Sequence, residues 1–342
     1  MITKAIGKTV SGVDLSGAEA REVMDVIMSG AATDAQIAAL LTALRMKGET
    51  VEEITAFASV MREKAEPVKL SDGSIVDTCG TGGDETGTFN ISTTAAFVAA
   101  GAGARVGKHG NRSVSSKCGS ADVLEALGVV IDLDAQATSK VIEEAGIGFL
   151  FAPILHTAMK YVMPARKQTG IRTVFNILGP LTNPAGASAQ VLGVYSPALT
   201  ETMALVLGNL GATHALVVHG AGGLDELSTL GSSQVSELKN GSVSTYIVRP
   251  EDLGLPRADI SDLQGGEAAA NAKYLTAVLD GEKGPRRDIV IMNASAALVA
   301  ADLATDLRSG LQLAATSIDS GAARAKLARL VAVSRQYAEE GN

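Results

Sequence analysis

Residues 77–93, DTCGTGGDETGTFNIST, and the basic run at 108–122, KHGNRSVSSKCGSAD, decide how this chain is read. Immediately upstream, 74–79 (SIVDTC) has the β-branched, apolar character of a short buried strand. Gly80, Gly82 and Gly83 follow where the backbone must turn tightly, and glycine there lets an oxyanion approach main-chain N–H groups. Residues 92–100 (STTAAFVAA) then read as a helix. Its first N–H groups lack partners and carry partial positive charge, a natural seat for phosphate. Asn90, Ser92 and Thr93 add side-chain donors at that end.

Two familiar nucleotide signatures fail on this stretch. The dinucleotide fingerprint needs glycine where Glu85 stands, and the Walker loop needs Gly-Lys-Ser or Gly-Lys-Thr, which is not nearby. A nicotinamide or ATP enzyme is therefore disfavoured. The glycine turn together with Lys108, His109, Asn111, Arg112, Ser115, Ser116 and Lys117 suits a ligand with phosphates at two ends. Arg112 offers a fork for one phosphate, while Lys108 and Lys117 act as point charges. Either motif alone is ordinary punctuation or a solvated loop; the pair is what carries the reading.

The chain has 342 residues, enough for two domains or one large and one small. Hydrophobic residues make up 46% and charged residues 19%, the balance of a globular protein. Lys plus Arg total 29 against 37 Asp plus Glu, and the resulting net charge of −8 argues against a nucleic-acid partner. The positive charge gathers mainly around the glycine turn and the basic run. Cys79 and Cys118 are the only cysteines, both inside those segments, which points to a reducing, cytoplasmic compartment. No stretch reaches the ~20 apolar residues of a membrane span, and the first residues lack the apolar centre of a signal peptide.

Ser16 with Glu19, Thr33 with Gln36, and Thr50 with Glu53 form capping boxes, each opening a helical pattern. Ile37, Leu40, Leu41 and Leu44 make the apolar stripe plain in the second, and Gly30 and Gly48 stand where helices should end. Pro67 closes this all-helical segment. From residue 75 short apolar runs alternate with helical stretches, which argues for a mostly parallel sheet flanked by helices. The expected strands are 75–79, 105–108, 129–133, 148–151, 191–195, 215–219, 243–248 and 288–292; the expected helices between them are 135–145, 199–210, 268–279 and 294–303. The fold class is thus α/β, with a helical unit at 1–70 and an α/β domain at 71–342 that binds the phosphorylated ligand.

Residues 163–186 (MPARKQTGIRTVFNILGPLTNPAG) interrupt the rhythm. Such a stretch is a surface linker or an excursion back to the helical unit lining the cleft between the two. Arg166, Lys167, Arg172 and Asn176 are placed to meet a carboxylate in the second case and are solvated charges in the first. Farther on, Asp225 and Glu226 end a glycine-rich loop after an expected strand. Adjacent acids are commonly surface charge, but beyond the carboxyl end of a strand they offer hard oxygens for Mg²⁺ beside polyphosphate.

In this order, GTGGD, FNIST, KHGNR, SSKCGSAD, MPARKQTGIRTVFNILGPLTNP and GLDE make the chain resemble the anthranilate phosphoribosyltransferase family of tryptophan biosynthesis, from the helical start to near residue 300. The resemblance implies a homodimer joined through the helical domain, 5-phosphoribosyl 1-diphosphate in the cradle and anthranilate in the interdomain cleft. It implies donor contacts from Gly80, Gly82, Gly83, Asp84, Thr88, Asn90, Ile91, Ser92, Thr93, Lys108, His109, Gly110, Asn111, Arg112, Ser113, Val114, Ser115, Ser116 and Ser120. Ser92, Asp225 and Glu226 would bind two Mg²⁺ ions per monomer. Gly80, His109, Asn111 and Arg166 would surround anthranilate. No residue is assigned an acid–base role; Lys108 and Arg112 act electrostatically. The helical excursion is expected near 165–186.

Two rivals share the fold. A pyrimidine nucleoside phosphorylase would have no use for Arg166, and a nucleic-acid-binding paralogue should show a broad basic face that a net charge of −8 does not provide. The other common phosphoribosyl class places paired acids ahead of its Thr-Gly-Gly turn, where this chain has only Asp77. His156, His214 and His219 show no metal-ligand spacing and read as structural or pocket-adjacent.

Overall fold

The computed structural model describes residues 1–83, 86–113 and 117–340. Four helices come first: α1 (Ile2–Val10), α2 (Gly17–Met28), α3 (Asp34–Lys47) and α4 (Val51–Glu63). Each of the capping boxes read from sequence is formed, at the starts of α2, α3 and α4. Gly48 ends α3 with φ of 87°, a backbone that disfavours any side chain. Ser29 ends α2, with Gly30 one position beyond it.

Glu53 does more than close its own box. It is fully buried, accepts from the Leu15 and Thr50 N–H groups at 2.9 Å each, and pairs with the nearly buried Lys47 at 2.9 Å. One carboxylate thus ties the start of α4 to the end of α3 and to the α1–α2 connection.

The remainder is built on one seven-stranded sheet of order β3-β2-β1-β4-β5-β6-β7. The strands are β1 (Val76–Asp77), β2 (Val106–Gly110), β3 (Ile147–Phe151), β4 (Ala189–Gly193), β5 (His214–Gly220), β6 (Ser233–Lys239) and β7 (Ser242–Val248). The first five run parallel, and β6 and β7 add an antiparallel edge. From β1 the chain goes outward to β2 and β3, then returns to place β4 on the other side. The strand order therefore reverses at β1 and β4, and in an open parallel sheet the crevice beyond the carboxyl ends at such a point is where ligands bind.

Alternation along the strands supplies two cores. Val191, Leu216, Val218 and Val235 face a cluster shared with α5 (Ile91–Gly101) and the helices Pro285–Ala300 and Ala322–Glu340. Leu192, Val194, Ala215, Val217 and Leu238 face the opposite way and join helix Leu199–Asn209, the 162–181 segment and α1 to α4 in a second cluster. The 163–186 interruption is thus packed on the helical unit rather than strung out as a linker. Arg62 fastens the junction by donating to the Leu181 carbonyl at 2.7 Å and the Leu210 carbonyl at 2.9 Å.

Two expected strands are not strands. Residues 129–133 pair with nothing in the sheet; Val129 and Ile131 are buried because the segment lies against the last helix, with the Val130 N–H donating to Ser334 Oγ at 3.1 Å. Residues 288–292 lie in helix Pro285–Ala300, started by a proline in its first turn. That helix is buried continuously from Ile289 to Ala300, and a helix apolar on every side is indistinguishable by periodicity from a buried strand. Conversely, β6 is absent from the expected strands. Its turn to β7 is Asn240-Gly241, with φ of 50° and 79°, the pairing that two-residue hairpins prefer.

Replacing Glu53 by Ala leaves the nearly buried Lys47 with the exposed Asp14 and the Gly48 carbonyl alone and removes a cap, so denaturant unfolding should show a loss of about 3 kcal/mol. A loss under about 1 kcal/mol, the range of an ordinary surface pair, would show that Glu53 is not the tie described.

Candidate active site

The site forms where β1, β2, β4 and β5 end. Asp77, the last residue of β1, is fully buried. One of its oxygens accepts the His109 N–H at 3.0 Å and the other the Asn183 amide at 2.8 Å. Burial raises the Asp77 pKa to about 6, against the pull of the neighbouring Lys108 ammonium. Asn183 also donates to the Gly107 carbonyl at 2.8 Å. The 163–186 segment is thereby latched directly to the strands that carry the glycine turn and the basic run.

Lys108 is only 4% exposed, and its ammonium donates to the Thr78 carbonyl at 2.6 Å and lies 3.3 Å from Ser92 Oγ. It is a cation held beneath the glycine turn, at the start of α5. The turn itself is folded down onto the next strands. The Thr81 N–H donates to the Gly193 carbonyl at 2.8 Å, and the Gly82 N–H to an Asp225 carboxylate oxygen, also at 2.8 Å. A Cβ on Gly80 would strike the Asp225 carboxylate, and one on Gly193 would overlap the Asp225 carbonyl oxygen. Glycine is required at Gly193 by the close approach of backbone rather than by φ, whereas a side chain at Gly80 would displace the Asp225 carboxylate.

Glu226 accepts the Ser92 N–H at 3.2 Å. Asn90 precedes α5 without capping it; its side chain instead donates to the Cys118 carbonyl at 3.2 Å and accepts from Asn271 at 2.9 Å. The two backbone seats expected to receive phosphate, in the glycine turn and at the start of α5, therefore hold protein carboxylates in this structure. The same residues bound a narrow cleft lined by Thr78, Gly80, Ser92, Gly193, Asp225 and Glu226.

Other residues named from sequence are dispersed around this cleft. Thr88 bridges to Gln264, Ile91 and Thr93 are buried in α5, and Gly110 ends β2 against Ser120 and Phe149. Asn111 accepts at its carbonyl from Ser120 Oγ at 3.2 Å, and the Ser113 N–H donates to Asp122 at 3.1 Å. Arg112 forks onto Glu125 and reaches Asp122 at 3.1 Å, so an incoming phosphate would compete with two acids for it. Asp84, Val114, Ser115 and Ser116 lie outside the described residues.

On the 163–186 segment, Arg166 is half-buried, and its guanidinium sits 5.7 Å from the Phe175 ring centre. Among the described residues no carboxylate pairs with it. Lys167 is exposed and Asn176 caps its own turn through the Thr173 N–H, while Arg172 donates to the Gly83 carbonyl and stacks 4.8 Å over Tyr195. Arg166 is thus the cation left open to an external acid. The rings of His109 and His156 lie 5.0 Å apart, and both residues are buried. Burial lowers the pKa of His109 to about 3 and of His156 to about 4, so both are neutral near pH 7. In sequence His156 reads only as structural or pocket-adjacent; its approach to His109 spans residues far apart along the chain. His219 bonds the Val194 carbonyl at 2.8 Å, and His214 sits between Glu237 and Asp302, away from the cleft.

Asp77, Cys79 and His109 also bring possible ligand atoms within 4.8 Å of one another. That group is a poor seat for a hard cation, because Lys108 lies against it and burial pushes the Cys79 thiol far up. Asp225 and Glu226, with Ser92 facing them, offer oxygen alone.

The sequence matches two models of one enzyme class, a glycosyl transferase family helical bundle domain at residues 3–65 and a glycosyl transferase family a/b domain at 72–324. The chain belongs to this glycosyl transferase family. It is 59% identical over 332 residues to the anthranilate phosphoribosyltransferase of Moorella thermoacetica, covering 97% of this chain and 98% of that one. The crystal structure of the Thermus thermophilus anthranilate phosphoribosyltransferase superposes with a TM-score of 0.93 at 46% identity, over 97% and 99% of the two chains. The Saccharomyces cerevisiae enzyme in complex with PRPP and Mg gives 0.90 at 29% identity, over 98% of each chain, and with 4-fluoroanthranilate 0.88 at 28%, also over 98% of each. Within the glycosyl transferases the chain therefore falls among the anthranilate phosphoribosyltransferases.

Between its lowered pKa and the ordinary value of 6.5, each buried imidazole holds fewer protons folded than unfolded, so its contribution to stability is present above 6.5 and is lost as pH falls. Asp77, shifted upward, works in the opposite sense between 3.8 and about 6. His156→Phe should therefore flatten the fall in stability from pH 6.5 to 4.5 by roughly 1 kcal/mol per pH unit. An unchanged slope of Tm against pH would show that His156 takes up its proton in the folded protein.

Proposed function

We infer that this enzyme transfers the phosphoribosyl group of 5-phosphoribosyl 1-diphosphate to the amine of anthranilate, giving N-(5-phosphoribosyl)anthranilate and pyrophosphate for tryptophan biosynthesis. The observation that carries this is one cleft at the sheet's reversal point, lined by a carboxylate pair that accepts backbone amides, with a buried ammonium bonded to Thr78 and Ser92 on its rim. No feature of that cleft favours a nucleoside phosphorylase or a nucleic-acid-binding role.

Asp225, Glu226 and Ser92 fit Mg²⁺, since all three present hard oxygens to the same cavity; we assign them two ions per monomer. A divalent cation held by these residues would supply counter-charge for the diphosphate. Gly80, Gly82, Gly83, Asp84, Thr88, Asn90, Ile91, Thr93, Gly110, Ser113, Val114, Ser115, Ser116 and Ser120 are assigned to the donor's envelope. Departure of pyrophosphate leaves positive charge on the sugar and negative charge on the leaving group. Lys108, fixed by Thr78 and Ser92, opposes the negative charge without having to reorganise, and Arg112 adds to it once it leaves Glu125 and Asp122. For the donor to gain the Gly82 and Ser92 amides, the Asp225 and Glu226 side chains must leave them, so occupation of the cation seat and of the phosphate seat is coupled.

Arg166 holds the carboxylate of anthranilate, with Asn111, the Gly80 backbone and the neutral His109 completing its pocket. The aromatic amine is already neutral near pH 7, so positioning suffices and no strong base is needed. We further propose that 1–70 with the 165–186 return forms the helical unit and 71–342 the α/β domain, that two copies pair through the helical unit, and that the enzyme works in the cytoplasm. Among the described residues no helix is long and apolar enough to cross a membrane.

Mixing the protein with anthranilate, phosphoribosyl diphosphate and Mg²⁺ should extinguish anthranilate fluorescence; a steady signal would sink the assignment. Arg166→Ala removes a charge-assisted bond to the acceptor, so the KM for anthranilate should rise roughly tenfold or more while that for the donor changes about twofold or less. Equal rises for both substrates would remove Arg166 from the acceptor pocket.

A further inference from the structure

Helix Pro285–Ala300 is apolar throughout its buried half, with a conspicuous interruption at Asn293, which is 3% exposed. A buried amide is tolerated only when its hydrogen bonds are made, and here they are all made to backbone. Asn293 Oδ1 accepts the Leu227 N–H at 2.8 Å. Its Nδ2 donates to the Leu227 carbonyl at 2.8 Å and to the Ile289 carbonyl at 2.9 Å. The paired bonds to Leu227 mimic one rung of a β-ladder and fix both the place and the orientation of that residue. Leu227 immediately follows Asp225 and Glu226.

The other side of the acid pair is anchored too. The Gly220 N–H donates to the Leu224 carbonyl at 2.8 Å, and Gly193 and Gly220 lack the Cβ atoms that would meet the carbonyls of Asp225 and Glu226. Asp225 and Glu226 therefore ride on a backbone clamped at both flanks. Asn293 also lines the cleft itself, and its helix packs against α5, which carries Ser92. One buried amide thus joins the backbone beside the acid pair to the helix that packs on α5.

Resting on the assignment of Asp225 and Glu226 to the cation seat, we propose that Asn293 is a positioning residue for that seat, acting through the Leu227 backbone to hold both carboxylates at the spacing a divalent cation requires. Substituting groups that orient metal ligands characteristically costs about 10-fold to 100-fold in metal affinity or activity. Asn293 does not touch the acceptor wall, so its effect should be confined to the cation and the donor.

The test uses Asn293→Leu, of similar size but without hydrogen bonds, and Asn293→Ser, which can keep at most one of them, with Asp225→Asn as a control. Binding of Mn²⁺ alone, followed by the loss of its free electron paramagnetic resonance signal, is measured beside Tm and both KM values. The expected result is folded variants with roughly tenfold weaker Mn²⁺ binding, a donor kcat/KM that falls in step, an anthranilate KM within about twofold of the parent's, and the Leu variant worse than the Ser variant. Mn²⁺ binding at parental strength in a folded Asn293→Leu protein, while Asp225→Asn weakens it, overturns the role of Asn293 and leaves the cation seat standing. Parental binding in Asp225→Asn overturns the seat, and this inference with it. Unfolding of both Asn293 variants at the assay temperature also overturns it, in favour of a purely structural amide.

Discussion

The close approach of the Asp225–Glu226 loop to the carboxyl ends of β1 and β4 is the constraint around which the rest of the molecule is arranged. It brings two carboxylates against two backbone amides, in the glycine turn and at the start of α5, and it works only because Gly80 and Gly193 present no side chain there. A carboxylate so placed occupies backbone donors of the kind that bind anions. On the function proposed above, binding a cation and binding a phosphorylated donor are two aspects of one rearrangement, since carboxylates drawn toward a metal would free the amides for phosphate.

The opposite wall depends on a different device. The 163–186 segment leaves the sheet, joins the core of the helical unit through Val162, Ala165, Val174, Phe175 and Leu178, and returns to be latched by Asn183 onto Asp77 and Gly107. Arg166 is carried on that excursion and Arg172 reaches back from it to Gly83. The 163–186 segment is therefore joined to the sheet by Asn183, to the glycine turn by Arg172 and to α4 by Arg62. Glu53 keeps the helices of the N-terminal unit in one arrangement.

Much of this is legible in residue order because the signals are local. Capping boxes depend on residues three apart, a glycine turn on its immediate neighbours, and the beginning of α5 on the apolar run behind it. Expectation and structure differ where local pattern and burial part company. Residues 288–292 read as a strand because the Pro285–Ala300 helix is buried on all sides, and 129–133 because Val129 and Ile131 alternate into a helix-packed core. β6 escapes a reading by pattern because SQVSELK mixes serine and glutamate with its apolar residues, although Asn240-Gly241 beside it announces a hairpin.

The sequence by itself determined the chemical inventory: glycines where a backbone is closely approached, a lysine and an arginine in a basic run, paired acids after a glycine-rich loop, and an arginine in a proline-broken stretch. It could do so because each of these requirements is met by residue type within a short window. Only the tertiary structure decided which of them meet. Arg112 is engaged by Glu125 and Asp122, the cradle amides by Asp225 and Glu226, and the acid pair is held through Leu227 by an asparagine 66 positions away. Those pairings follow from strand order and from the packing of buried helices on the sheet, which bring together residues with no relation along the chain.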